Sequence, residues 1–211
     1  PLDLNRLLVT IRNAMDRSEL LTETKTLRRK ISKSYEMIGE SVPIKQIRDM
    51  IDRVAPTEAR VLITGENGTG KEMVARLIHS ESTRKSGPFI SVNAVDLTPD
   101  KVEAELFGIE DSNPNGGAEK VGLFEQAHGG TLFIDEVADM PLQTQGRILR
   151  ALQEQSFTRV RGNNAVAVDV RVIDASNQNL HEEMEKGEIQ EIRYNIKNNK
   201  LIETYNNIVN N

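Results

Sequence analysis

Apolar positions recur along the chain with two different periods, and the switches between them lay out its elements. Leu4, Leu7, Leu8, Ile11 and Met15 keep helical spacing. Leu20, Thr24, Leu27 and Ile31 continue at alternating fours and threes, so 1–31 reads as helix with coiled-coil spacing in its second half. Two readings of it stand side by side: an amphipathic helix packed on its own core, and a helical linker that pairs with a second copy. Ile44, Ile47, Met50, Ile51 and Val54 predict a second amphipathic helix over 41–54, started near Ser41 and Pro43. The period then collapses to an unbroken run, Val61-Leu62-Ile63, followed by a glycine-rich turn and another helical pattern at Met73, Val74, Leu77 and Ile78. After the turn Gly87-Pro88, residues 89–92 predict a short strand ending in Asn93, and Leu97-Thr98-Pro99 starts a helix running through Leu106. Residues 108–122 show no apolar period and read as loop.

The stretch 129–136 is a continuous apolar strand ending in Asp135-Glu136, as a parallel strand buried on both faces requires. A helix over 143–153 (Ile148, Leu149, Leu152) and strands over 166–168 and 170–175 follow, the last ending in Ser176-Asn177. A short helix is predicted over 180–186. From Gln190 on, glycine and proline vanish and seven asparagines fall between Asn195 and Asn211, so this tail reads as weak helix or disorder. Strands alternating with helices predict an α/β fold: a mostly parallel sheet with helices on both faces, preceded by a helical linker.

Composition narrows the function classes. There is no Cys, which excludes disulfides and thiolate metal sites, and the three His are too dispersed for a zinc site. A net charge of −5 argues against a broad basic face that coats nucleic acid. Aromatics make up only 4% with no Trp, which predicts an aliphatic core. No apolar run approaches the roughly 20 residues that cross a bilayer, and no signal-peptide pattern is present, so the default location is cytoplasmic. At 211 residues the chain holds one domain or two.

The chemistry sits at the strand ends. Gly65-Glu66-Asn67-Gly68-Thr69-Gly70-Lys71-Glu72 has the spacing of a P-loop between a strand and a helix. Such glycines let successive N–H groups turn inward onto phosphate oxygens, the helix N-terminus adds partial positive charge, and Lys71 reaches the β/γ-phosphates. The usual hydroxyl after the lysine is replaced by Glu72, so none stands there to hold Mg2+. In open α/β sheets ligands bind beyond the C-terminal strand ends. Asp135 there can hold Mg2+, directly or through water, and Glu136 can take a proton from an attacking water. The bland reading is a buried strand capped by two solvated acids, and the P-loop upstream favours the site. Asn177 ends another strand at this edge; its amide can position a γ-phosphate or its water, or simply form a turn.

Taken together, these residues resemble the AAA+ domain of bacterial enhancer-binding proteins, the NtrC class of sigma-54-dependent activators, and most of all its NtrX-like response regulators. The likeness covers about 35–188. It is carried by the P-loop with glutamate after its lysine, by ELFG (105–108), GLFEQAHGGTLFIDE (122–136), DMPLQTQ (139–145), LRALQE (149–154), RVRG (159–162) and DVRVIDASN (169–177), and by KSYEMIGES (33–41). The resemblance implies three regions: 1–34, the last receiver-like helix and a linker; 35–189, the ATP-binding core; and 190–211, a divergent tail. It further implies ATP and Mg2+ as cofactors, phosphate binding by Lys71, Mg2+ support by Asp135 and water orientation by Glu136. It makes Asn93 the partner that switches Glu136 and Asn177 the sensor of the γ-phosphate.

The departures matter as much. Where the family carries GAFTGA, this chain has DSNPNGGAEKV (111–121), without Phe or Thr, an argument against sigma-factor contact. At the family's Phe and two arginine-finger positions stand Ile189, Gln190 and Ile196, with Arg193 out of frame. A finger supplies several kcal/mol to phosphoryl transfer, so hydrolysis is expected to be slow. The lid subdomain and a DNA-binding helix-turn-helix are expected to be absent from this chain, which then reads as truncated at both ends. Self-association through the linker helix and the AAA+ faces is expected, and no membrane contact. Two readings of function stay open: an ATP-binding module of a two-component transcription regulator, or a non-catalytic nucleotide-binding or helix-pairing fragment from a decayed gene.

Overall fold

In the computed structural model, residues 8–19, 37–110, 120–178 and the short strand Ile202–Glu203 are described. Residues 8–19 are helical (α1) and belong to a unit of their own, 1–38. Leu8, Ile11 and Met15, three of the apolar positions that predicted this helix, are exposed. Everything that follows lies in the second unit, 39–211. The predicted helix over 180–186 and the arginine-finger positions fall outside the described residues.

The second unit opens with α2 (Val42–Val54). Then come β1 (Val61–Thr64), α3 (Lys71–Ser80), β2 (Phe89–Asn93) and α4 (Pro99–Phe107). Next follow α5 (Leu123–Gln126), β3 (Thr131–Asp135), α6 (Leu142–Glu154), β4 (Ser156–Thr158), β5 (Ala165–Ala167), β6 (Arg171–Ser176) and β7 (Ile202–Glu203). The main sheet is parallel throughout, in the order β2-β3-β6-β1-β7. It is an α/β fold, as the alternation of periods predicts.

Register sorts the strands into two faces. Leu62, Leu132, Ile134 and Val172 share one side with Val102 and Leu106 of α4, Phe124 of α5 and Ile148 of α6. Val61, Ile63, Phe133, Ile173 and Ala175 point the other way, the side of α2 and α3 with Ile47, Ile51, Val74 and Ile78. Helices on both faces explain why the central strands are unbroken apolar runs. The core is not purely aliphatic, which corrects the composition argument. All five Phe gather in two clusters: Phe107, Phe124 and Phe157 with centroids 5.3–6.0 Å apart, and Phe89 with Phe133 at 6.1 Å. A low aromatic count limits number, not placement, and ring pairs add about 0.5–1.5 kcal/mol beyond their buried area.

Three local outcomes differ from the sequence reading. The strand predicted over 166–168 does not join the main sheet. It is β5, paired antiparallel with β4, a strand that periodicity did not predict because three residues cannot show a period. The four-residue α5 went unpredicted for the same reason. In the tail, Ile202 and Glu203 lie beside Ile63 and Thr64 as an outer parallel strand, not as helix.

Candidate phosphate-binding site

The chain order places β6 between β1 and β3, so segments distant in sequence leave the sheet side by side at its C-terminal edge. The β1–β6 ladder runs one step past the strand: Gly65 N–H donates to the Ser176 carbonyl at 3.1 Å. The turn then closes on itself, with Thr69 Oγ1 donating to the Glu66 carbonyl at 2.8 Å. Gly68 (φ 84°) and Gly70 (φ 89°) occupy the left-handed region, where a side chain is disfavoured. Gly70 is the N-cap of α3, and the first N–H groups of that helix have no intrahelical acceptor. A glycine turn leading into a helix N-terminus is the arrangement that offers backbone donors to an anion.

Lys71 is buried where the turn meets the helix. Its Nζ donates to the carbonyls of Gly65 (3.0 Å) and Glu66 (3.4 Å) and to Asn67 Oδ1 (3.5 Å). It also pairs with Glu136 Oε1 at 3.3 Å, with both side chains under 10% exposed. Glu136 Oε2 accepts the backbone N–H of Asn177 at 2.9 Å. Glu136 itself has φ 51° and ψ 49°, a strained conformation for a side-chain-bearing residue. It is held there from both ends: its carboxylate is anchored by Lys71 and Asn177, and its own N–H donates to Asp135 Oδ1 at 3.1 Å. Asn177 Nδ2 reaches back to Asn67 Oδ1 at 3.1 Å.

Asp135 ends β3 in register with Asn93 at the end of β2. Burial pushes its carboxyl above the ordinary aspartate range, the Lys71 charge pulls it back, and the Glu136 charge pushes it up again. An acid in this balance gains from one more cation. Among the described residues no group of three His, Cys, Asp or Glu can cage a metal. A lone carboxylate of this kind is compatible with an ion that keeps most of its waters. Glu72, in the place of the usual hydroxyl, is held by Arg76, with Nη2 at 2.6 Å and Nε at 3.0 Å from its Oε1.

The structure thus gathers Gly65, Glu66, Asn67, Lys71, Glu136 and Asn177 into one bonded group. Gly68, Thr69 and Gly70 complete the loop, and Asp135 adjoins Glu136. Asn93 shares the edge, but its Oδ1 accepts the Val95 N–H at 3.0 Å and caps the 3-10 turn Ala94–Asp96; Glu136 bonds to Lys71 and Asn177 instead. Sequence reasoning did not single out Gln178 and Asp139. Gln178 Nε2 donates to Asp139 Oδ1 at 3.2 Å, tying the end of β6 to the 3-10 turn Val137–Asp139 after Glu136. The only signal available was that each lies one to three residues past a candidate.

Similarities to known proteins follow the same outline. A family model described as "Sigma-54 interaction domain" matches residues 37–201. The nitrogen assimilation regulatory protein NtrX of Azorhizobium caulinodans is 43% identical over 194 residues, 92% of this chain and 42% of that protein. NtrC of Proteus hauseri is 38% identical over 195 residues, covering 92% and 41%. Among solved structures, NtrX of Brucella abortus in complex with ADP superposes with a TM-score of 0.80 at 42% identity, covering 96% of this chain and 43% of that one. The chain spans about two fifths of the length of these relatives. The P-loop NTPase domain of an Escherichia coli sigma-54 activator, at 22% identity and TM-score 0.53, shares the fold.

Proposed function

The chain belongs to the sigma-54 interaction domain family, and from that premise we propose that it is the ATP-binding AAA+ module of a two-component transcription regulator, with slow turnover. The observation that carries this reading is the meeting of Lys71 Nζ and the Glu136 carboxylate, 3.3 Å apart and buried, inside a loop of phosphate-binding geometry. Solved NtrX from Brucella abortus holds ADP in one crystal and ATP in another, which supports a nucleotide here. Lys71 and the N–H groups of 66–72 bind the phosphates. Asp135 supports Mg2+, which when bound screens phosphate charge and orients it for in-line attack. Glu136 takes the proton of the attacking water once Lys71 has moved to phosphate. Asn177 and Asn93 stand at the same edge, placed to sense phosphate and to receive Glu136.

Slow turnover follows from Ile189, Gln190 and Ile196 at the family's Phe and finger positions. Sigma-factor contact, if made, must use residues other than the family's Phe-Thr. Among the described residues no helix is long and apolar enough to span a membrane, and the reading places the chain in the cytoplasm. The exposed Leu8, Ile11 and Met15 of α1 favour an added role for that helix in pairing with a second copy.

The test is ATP binding and turnover by the purified chain beside Lys71→Ala and Glu136→Gln. Binding lost at least a hundredfold in Lys71→Ala, with wild-type turnover near the Glu136→Gln level, is the expected result. Glu136-dependent turnover that climbs with protein concentration overturns the slow-hydrolysis part; absence of binding overturns the whole.

A further inference from the structure

Four residues from three segments close a ring at the site. Lys71 Nζ pairs with Glu136 Oε1 (3.3 Å), Glu136 Oε2 accepts from Asn177 N–H (2.9 Å), Asn177 Nδ2 donates to Asn67 Oδ1 (3.1 Å), and that same oxygen faces Lys71 Nζ (3.5 Å). With the Gly65 and Glu66 carbonyls added, the lysine's three N–H donors face four acceptors, all protein. Lys71, Glu136 and Asn177, which the proposed function needs for phosphate and water, are thus committed to one another and to Asn67.

We propose that this ring is a latch over the phosphate site and that Asn67 is its clasp, a positioning residue that holds Lys71 and Asn177 back from an entering polyphosphate. The proposal rests on the P-loop reading above. Lys71 and Glu136 are buried, whereas Asn67 and Asn177 are exposed, so the ring faces solvent at the asparagine pair. The hydrogen bonds of the Asn67 side chain run to Lys71 and Asn177 and support no helix or strand. Next to it, a Cβ built on Gly68 would meet nothing within 4 Å beyond its chain neighbours, so the loop is open on that side. A ligand that binds only the open state sees its affinity reduced by the open fraction. The Asn67–Asn177 bond is exposed, so its contribution to holding the ring closed is that of a single hydrogen bond.

Stopped-flow association of mant-ADP and mant-ATP with the full chain tests this. Asn67→Ala should raise the association rate about two- to tenfold, the range one such hydrogen bond commands, with the dissociation rate unchanged. Asn67→Asp keeps the acceptor and adds charge beside Lys71, and should slow association. If Asn67 instead contacts phosphate, Asn67→Ala raises the dissociation rate and leaves association alone, which overturns the latch. A merely structural role would lower the melting temperature without moving the two rates apart, and also overturns it. Lys71→Ala separates the two levels. Wild-type binding that needs Lys71 but ignores Asn67→Ala sinks the latch alone; no wild-type binding sinks the P-loop reading and the latch with it.

Discussion

The two edges of the main sheet each bury a cation, and they use it in opposite ways. At the C-terminal edge Lys71 pairs with the Glu136 carboxylate, a side chain that rotates. At the N-terminal edge Arg171, 3% exposed, donates through Nη1 to the Ala55 carbonyl (2.8 Å) and through Nη2 to the Val54 carbonyl (3.0 Å). Those carbonyls end α2, where helix acceptors lack intrahelical donors and the dipole is negative. Burial pulls the Arg171 guanidinium below its ordinary range, yet an arginine stays charged. Its Nε has no partner among the described residues, so its hydrogen bonding is devoted to the helix end. Lys71 also donates to the Gly65 and Glu66 carbonyls, but its carboxylate partner, unlike the carbonyls that hold Arg171, is a side chain that can give way to a phosphate. One edge is built for permanence and the other for exchange.

This contrast is most exposed to attack at Arg171. Arg171→Met fills similar space but strips the Ala55 carbonyl of its guanidinium donor, while the Val54 carbonyl keeps the N–H and Oγ1 of Thr57 at 3.0 and 2.8 Å. The expected loss is about 1–3 kcal/mol of folding stability in urea unfolding, the cost of one unsatisfied buried acceptor. A loss below about 1 kcal/mol would mean that α2 is held by its apolar face alone and that the edges do not differ as described.

A smaller effect of opposite sign is expected at Asp135. Its carboxyl is raised in the fold, so the native state binds a proton more tightly than the unfolded chain. Stability is then greatest below the unfolded pKa and declines as pH rises through the window up to the raised value. Asp135→Asn should therefore stabilise the nucleotide-free protein near neutral pH by less than about 1 kcal/mol, discounted for partial exposure, and flatten the acid limb of its melting profile. Destabilisation by Asp135→Asn would show that Lys71 outweighs burial there. The smallest effect belongs to Glu72→Ala, which loses an i,i+4 pair with Arg76 and an acid in the first turn of α3. About 0.3–0.5 kcal/mol should go, and the loss should shrink in high salt.

Much of this was legible along the chain. The strand-loop-helix at 61–80 could be read because local spacing is itself the mechanism: glycines at 68 and 70 supply the positive φ, and the lysine begins the helix. The apolar runs at 61–63 and 132–134 announced burial on both faces, and register places Leu62 on one face with Val61 and Ile63 on the other. The hairpin of β4 and β5 was not legible, because what stabilises three-residue strands is a cross-strand partner that sequence does not display. Asn93 shows the same limit. Its place at the edge followed from strand order, but whether its amide meets Glu136 or caps its own turn is a choice between two nearby arrangements, and here the cap is made.

By itself the sequence determined the longer elements, their parallel arrangement and the set of groups at one edge, since periodicity, glycine placement and strand-end chemistry are local. Only the tertiary structure decided who binds whom. That Glu136 takes Lys71 and the Asn177 N–H, and that Arg171 serves the end of α2, depends on segments brought together across 41 to 117 positions of chain. Side-chain pairing at such range is set by strand order and register, which no local pattern encodes.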